Sequence, residues 1–329
     1  MLHYITRRLL YMIPTLFVIS IVAFFIIQLP PGNYLNSLAA SMADSGDVYD
    51  QAMLQTLQER YGLNQPFYVQ YFKWVGGIIT RGDFGESFEW GRPVKDLIWD
   101  RMGMTLIVSF SSLLFVWAVS LPIGIYSAVR QYSPGDYIAT FFGFFGLAVP
   151  NFLLALVLMY VAYRYFGQSV GGLFSSEFVS APWSIPRVLD MLKRLWIPVI
   201  VIGTAGTAGL IRVMRANLLD ELHKPYVVTA RAKGLSERRL ILKYPVRVAL
   251  NPFVSGIGWT LPRLVSGEAI VAVVLSLPTT GPVLLKALRS QDMYLAGSFI
   301  LLLSTLTVIG TLLSDILLAW LDPRIRYQK

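Results

Sequence analysis

The sequence contains no cysteine and only two histidines, and these absences exclude several kinds of site. Without cysteine there is no disulfide, no thiolate nucleophile and no thiolate-bound metal. His3 and His223 lie far apart in the sequence and lack the spacing of paired metal ligands, so we predict no metal site. The G-x-x-x-x-G-K-[ST] phosphate loop is also missing, so the chain cannot bind ATP by that route.

Charged residues are scarce as well, at 14% of 329 residues, whereas hydrophobic residues make up 55%. The mean hydropathy is +0.58, and an ordinary soluble domain has an apolar share of about 45–50%. The composition therefore predicts a polytopic membrane protein. The net charge of +9 does not indicate nucleic-acid binding, because the basic residues lie mainly beside apolar runs, where membrane topology explains them.

Apolar runs of membrane-spanning length predict an all-α fold with six transmembrane helices. They lie at about residues 9–29, 104–129, 137–165, 195–211, 248–277 and 293–320. The first run is longer than the 7–15-residue core of a signal peptide, which favours a retained span over a cleaved signal. We predict a first transmembrane helix (1–29), an external segment (30–103) and a five-helix core (104–329) with both termini in the cytoplasm.

The polar segment after the first span has the charge balance of an external region. Between residues 30 and 101 there are nine acidic and six basic residues, so the positive excess of cytoplasmic loops is absent. Its aromatic residues alternate with polar ones, which predicts amphipathic helices lying on the membrane interface or over the other spans. They are Tyr61, Phe67, Tyr68, Tyr71, Phe72 and Trp74.

Two spans carry residues that shape helices. Pro150 lies in the middle of the third span, where its missing N–H predicts a bend. The fourth span carries small residues that favour close helix packing, and Arg212 and Arg215 at its inner end are expected to reach the interface. The small residues are Gly203, Ala205, Gly206, Ala208 and Gly209.

The loop at residues 212–247 is strongly basic, with nine Lys or Arg residues against three acidic ones, and this predicts a cytoplasmic position. Within it, Pro225 suits the start of a short helix and Gly234 its end. Ser236 is a candidate cap for a second helix, and Pro245 discourages its continuation. The sequence thus predicts two short helices joined at Gly234.

On the first of these helices, Tyr226, Ala230 and Gly234 recur at i, i+4 spacing. An aromatic side chain next to two small residues favours insertion into a socket on a partner protein. The alternative is a polybasic loop that lies on anionic lipid.

The predicted fifth span contains two ionisable residues, Arg263 and Glu268. A charge at membrane depth costs about 2.5–3.5 kcal/mol on insertion scales, so both residues should face the bundle, a partner or a water-filled path. They are candidates for the lining of a translocation path. The alternative is an ion pair that holds helices together.

Several stretches resemble the ABC importer permeases, in the B-type subunit of their dipeptide and oligopeptide branch. The family's cytoplasmic coupling loop is named for a Glu-Ala-Ala triplet followed by a Gly, and here Val228, Thr229 and Ala230 precede Gly234. The triplet's Glu is absent. The external sequence from Tyr61 to Met102 is similar over its whole length, and further similar stretches are residues 276–288 and 321–327.

This resemblance implies a transport subunit rather than an enzyme, acting in the cytoplasmic membrane. It implies three kinds of partner: a homologous second permease subunit, two ATPase subunits that bind ATP and Mg, and an external substrate-binding protein. The residues expected to couple to the ATPase subunits are Tyr226, Thr229, Ala230, Gly234 and Leu235. Related permeases have an acid where this chain has Ala272.

The sequence leaves two other functions open. One is an ion-driven secondary transporter with Glu268 or Asp315 as a proton site, although there is no inverted repeat and buried acids are few. The other is a membrane enzyme, although no nucleophile–base pair is apparent. For a permease of this branch, the substrate could be a peptide, a nickel chelate, a modified peptide or an oligosaccharide.

Overall fold

The computed structural model describes residues 2–28, 65–87, 89–168, 171–257 and 269–321, and most of these are helical. This confirms the predicted all-α class. Their helices are α1 (Leu2–Gln28), α2 (Phe67–Arg81), α3 (Val94–Val129), α4 (Pro134–Ala148), α5 (Asn151–Phe166), α6 (Ile185–Leu222), α7 (Pro225–Ala232), α8 (Glu237–Lys243), α9 (Pro245–Ala249), α10 (Asn251–Ser255), α11 (Ala269–Val274), α12 (Thr280–Arg289) and α13 (Met293–Leu321).

Three helices of the described residues are long and apolar enough to cross a membrane, and the number rises to five if each bent helix pair counts as one span. The three lie in α1, α3 and α13. The predicted fifth span lies mostly at residues 258–268, outside the described residues. Helix α3 begins ten residues before the predicted Met104, and α6 begins at Ile185 rather than at Leu195.

The bend predicted at Pro150 is present. Helices α4 and α5 meet there at 101°, and Pro150 itself is the extended residue before α5. A proline cannot donate the backbone hydrogen bond that would continue α4, so the helix ends at Ala148 and restarts after the proline.

The longest helix contact joins α3 to α6, and small residues allow it. An added Cβ at Gly124 would lie 2.6 Å from the Cβ of Met214, and one at Gly203 would lie 2.5 Å from the Phe115 ring. A Cβ added at Gly209 of α6 would have no atom within 4 Å. Close packing is therefore the role of Gly203, as expected from the sequence, whereas Gly209 does not take part.

Helix α2 packs on the first helix. Tyr71 and Trp74 on α2 are buried, and both rings contact the Phe24 ring of α1. The Tyr71 hydroxyl also hydrogen-bonds the Ser20 hydroxyl at 2.8 Å. Helix α2 thus packs against another helix, one of the two arrangements that its pattern predicts, and its position relative to the membrane interface stays a prediction.

A short antiparallel strand pair follows α2, with β1 at Glu86–Ser87 and β2 at Arg92–Pro93. A buried carboxylate fixes this hairpin to the start of α13: Asp292 accepts hydrogen bonds from the Ser87 hydroxyl and from the Glu89 N–H. The same carboxylate caps α13 by accepting from the Leu295 N–H at 3.2 Å.

Candidate functional site

Two short helices at the end of α6 form the candidate site, and we call residues 225–243 the elbow. Pro225 occupies the first turn of α7, as predicted. Gly234 follows the helix with a φ of +79°, a left-handed conformation that glycine adopts without steric cost. Ser236 precedes α8 at the cap position, but its side chain makes no capping hydrogen bond.

The inner side of the elbow is a small apolar cluster. Val227 and Ala230 of α7 pack against Leu240 of α8, with Leu235 half-buried beside them. Ala230 is only 7% exposed. The small Ala230 side chain allows α7 to approach α8 of the same chain, and its part in coupling to ATPase subunits stays a prediction.

The outer side of the elbow is open and partly apolar. Tyr226 and Val228 are 38% and 55% exposed, and Thr229 and Gly234 are exposed as well. The Thr229 hydroxyl donates to the Pro225 carbonyl at 2.9 Å, so this side chain is satisfied within α7. A short helix with exposed apolar side chains offers a surface suited to a partner protein.

An ion pair spans the Gly234 turn. The Arg231 guanidinium of α7 donates to both carboxylate oxygens of Glu237 at the start of α8. The hydrogen bond from Arg231 lowers the pKa of the Glu237 carboxyl, which therefore carries its charge at neutral pH. Because both side chains are exposed, the pair orients the two helices more than it stabilises them.

The elbow is anchored to α6 through Glu221, which is 8% exposed. Its carboxylate accepts hydrogen bonds from the Lys224 ammonium group at 2.6 Å and from the Tyr226 hydroxyl. Burial, followed by the contact with Glu221, raises the pKa of the Tyr226 hydroxyl above its usual value. The Tyr226 hydroxyl thus contacts Glu221 inside the chain, and the exposed surface of Tyr226 belongs to its ring.

A second charged contact ties α6 to the start of α4. Arg215 donates to both oxygens of Asp136 at 3.0 and 2.9 Å, and the Asp136 side chain is buried. The backbone N–H of Tyr132 donates to the same carboxylate. Arg215 therefore makes a bidentate ion pair within the chain, while Arg212 lies over the Phe144 ring.

The two predicted path residues, Arg263 and Glu268, lie outside the described residues, so their role stays a prediction. The other predicted proton site, Asp315 on α13, lies 3.2 Å from the Arg8 side chain of α1. In the part of the chain that the structure describes, no three His, Cys, Asp or Glu side chains are grouped in a way that could hold a metal ion.

Glu221 has a weak sequence signal, because it is one of three acidic residues in a basic loop. Its i, i+3 spacing from Lys224, just before a helix that starts with Pro225, is the signal that could reveal it. The Asp136–Arg215 pair has no local signal, since 79 residues separate the two partners.

Comparison with known families gives two matches that together span most of the chain. The family described as binding-protein-dependent transport system inner membrane component matches residues 120–327, which include the elbow. The family of the N-terminal part of such membrane components matches residues 1–109.

Individual relatives are similar over their full length. The oligopeptide transport system permease protein AppB of Bacillus subtilis is 36% identical over 331 residues, covering 99% of this chain and 100% of the relative. The oligopeptide permease protein OppB of Haemophilus influenzae is 31% identical, with the same coverage. The glutathione transport system permease protein GsiC of Escherichia coli is 32% identical over 331 residues, covering 100% of this chain and 100% of the relative.

Proposed function

Because the chain belongs to the family of binding-protein-dependent transport system inner membrane components, we propose that it forms half of the translocation path of an ATP-driven importer. The proposal depends above all on one observation. An exposed helix–glycine–helix elbow projects from the end of a long α6, in a chain whose sequence has no phosphate loop of its own. In this proposal the energy for transport comes from ATPase subunits on other polypeptides.

The partners follow from this role. A homologous second permease subunit completes the path, and two ATPase subunits bind ATP and Mg. An external binding protein delivers the solute. The names of similar permeases, which refer to oligopeptides, dipeptides and glutathione, support peptides or related small solutes as the substrate class. We expect a multi-pass protein of the inner membrane with both termini in the cytoplasm.

The elbow is the surface on which the ATPase subunits act. Tyr226, Thr229 and Gly234 are exposed and meet the ATPase surface. Ala230 and Leu235 act indirectly, because they hold α7 and α8 together in one unit. When the ATPase subunits close on nucleotide, they displace the elbow, and α6 carries the displacement into the membrane, where the access of the path alternates.

Gly234→Trp tests the docking of the elbow. The indole adds bulk at an exposed position, and we expect transport-coupled ATP hydrolysis to be lost while the protein remains inserted. The measurement is ATP hydrolysis and solute uptake in vesicles that contain the reconstituted complex. Gly167→Trp is the matched control, since Gly167 also has positive φ, at +61°, and nothing within 4 Å of an added Cβ. Unchanged coupling in Gly234→Trp contradicts the docking role.

Arg263 and Glu268 are proposed to line the path, because ionisable groups in an apolar span are costly unless they face water or a partner. Neutral variants, Arg263→Met and Glu268→Gln, are expected to lower solute uptake without releasing the ATPase subunits from the complex. If both variants transport normally while the complex stays intact, these residues do not belong to the path.

An ion-driven secondary transporter is less well supported. Asp315 is one of its two candidate proton sites. It pairs with Arg8 across the α1–α13 contact, and this pairing favours a role in joining the two helices. The similar proteins are named as permeases of transport systems, which favours the ATP-driven function. Identifying what the partner binding protein retains would define the substrate.

A further inference from the structure

The connection between α6 and the elbow is short, and one buried carboxylate braces it. Only His223 and Lys224 separate the last residue of α6 from the first residue of α7. A two-residue link can bend, so chain connectivity alone does not fix the direction of α7 relative to α6. The packing of Val246 and Ala249 on α6 constrains the far end of the elbow, and the side-chain contacts of Glu221 constrain it at the link.

Glu221 lies in the last turn of α6, and both of its side-chain contacts come from beyond the helix end. The Lys224 ammonium group and the Tyr226 hydroxyl each donate to a different carboxylate oxygen. Because Glu221 is buried, these hydrogen bonds replace hydration that the carboxylate has lost. Rotation of α7 away from α6 would leave a buried charge without its partners.

We call the link between α6 and α7, with its Glu221 contacts, the joint. Helix α6, which precedes the joint, is itself fixed to two other helices. Met214 of α6 packs against Gly124 of α3, and Arg215 forms the bidentate pair with Asp136 at the start of α4. A displacement that reaches α6 therefore also reaches α3 and α4. The link at Glu221 is where the elbow connects to these packed helices.

We propose that Glu221 is the positioning residue that fixes the angle between α6 and the elbow, so that displacement of the elbow moves α6 instead of bending the link. Tyr226 is its partner on α7: the hydroxyl of Tyr226 contacts Glu221, while its ring stays exposed to the ATPase surface. The proposal rests on the proposed function, because it assumes that the ATPase subunits move the elbow.

Glu221→Ala removes both contacts, and we expect it to uncouple the importer. ATP hydrolysis stimulated by the loaded binding protein should continue, whereas the number of solute molecules transported per ATP should fall at least about tenfold, the effect of one hydrogen bond to a charged group. Glu221→Gln keeps an acceptor for the Tyr226 hydroxyl and should retain an intermediate ratio. Asp220→Ala is the matched control, because Asp220 is the neighbouring carboxylate and is exposed.

A double-mutant cycle distinguishes the joint from general destabilisation. Tyr226→Phe removes only the hydroxyl, and we expect it to lower the transport ratio by itself. If the two residues act through one hydrogen bond, Glu221→Ala with Tyr226→Phe is no worse than Glu221→Ala alone. A damaged fold would lower hydrolysis and transport together and leave their ratio unchanged, which would overturn the proposal.

A spectroscopic measurement reports the joint directly. The chain has no native cysteine, so spin labels can be placed at Ala216→Cys on α6 and at Lys233→Cys after α7, both exposed positions. In the purified complex we expect one narrow distance distribution for the wild-type joint and a broad one with Tyr226→Phe or Glu221→Ala. Equal distributions would refute the bracing role.

The outcomes separate this proposal from the proposed function. If the ATPase subunits do not copurify with the wild-type chain, the importer assignment itself fails. If they copurify but Glu221→Ala and Tyr226→Phe transport with the wild-type ratio, only the positioning role fails. Where Glu221→Ala does not assemble, Tyr226→Phe decides, because an unchanged ratio in that milder variant refutes the joint.

Discussion

Three buried carboxylates in the described part of the chain have specific donors, and each joins two elements. Glu221 connects α6 to the elbow, Asp136 connects α4 to α6, and Asp292 connects the β1–β2 hairpin to α13. A buried charge is costly unless it is paired and hydrogen-bonded, so each contact stabilises one relative position of its elements. These three residues therefore hold pairs of elements in fixed relative positions.

Asp292 makes the stability of the protein depend on pH. Burial raises the pKa of the Asp292 carboxyl above its usual value, although three hydrogen bonds oppose the shift. Between the unfolded and the folded pKa, the folded state holds a proton that the unfolded state has released, so stability falls as the pH rises through this window. We expect the thermal midpoint of the wild type, relative to that of Asp292→Asn, to fall from pH 4 to pH 8.

The measurement is thermal unfolding of the detergent-purified protein over that pH range. Asp96→Asn is the control, because Asp96 is an exposed aspartate. A difference between wild type and Asp292→Asn that does not change with pH would show that the Asp292 carboxyl keeps the same pKa on folding.

At the scale of elements, the α3–α6 contact transmits movement from α6 to α3 in the proposed mechanism. Two helices that move together must be packed without voids, and here the backbones approach closely at Gly124. Elsewhere on α6, a Cβ added at Gly209 would have no atom within 4 Å. The two glycines therefore differ in role although both lie in apolar helices.

Gly124→Ala tests this contact. The new Cβ would lie 2.6 Å from the Cβ of Met214 and 3.1 Å from the Ile211 carbonyl oxygen, so the helices must separate. We expect a loss of about 1–3 kcal/mol in the free energy of unfolding, as for other overpacked cores. Thermal or denaturant unfolding in detergent measures it.

Gly209→Ala is the matched control for that experiment. Alanine favours a helix over glycine by about 1 kcal/mol, so this variant should be as stable as the wild type or slightly more stable. If both variants behave alike, the close approach at Gly124 does not limit the packing of α3 on α6.

At the scale of the whole molecule, the described charges and helices fit a topology in which the elbow and the β1–β2 hairpin lie on opposite sides of the membrane. The basic loop at residues 212–247 favours the cytoplasmic side, and the segment with acidic excess before α3 favours the external side. The elbow must face the cytoplasm if ATPase subunits act on it.

Single cysteines test this topology without background labelling, because the chain has none of its own. We expect Lys233→Cys in the elbow to react with a membrane-impermeant maleimide only after the cells are opened. Gly91→Cys at the tip of the hairpin should react in intact spheroplasts. Labelling of both positions from the same side would contradict the proposed orientation and, with it, the docking of ATPase subunits.

The sequence by itself determined what depends on neighbouring residues and on composition. The all-α membrane class, the break at Pro150, the helix that starts at Pro225 and its end at Gly234 were all predictable, because apolar length, a missing N–H and a positive φ are local properties. Family resemblance was readable for the same reason, since motifs are local patterns.

Only the tertiary structure decided which surfaces are open and which charges meet. Helical spacing placed Ala230 beside Tyr226, yet the fold of α8 onto α7 buries Ala230 against Leu240. The partners of Asp136 and Asp292 lie 79 and 205 residues away, a separation that no periodicity encodes. Burial and pairing are properties of elements packed together, so the joint at Glu221 became visible only when α6 and α7 were placed in space.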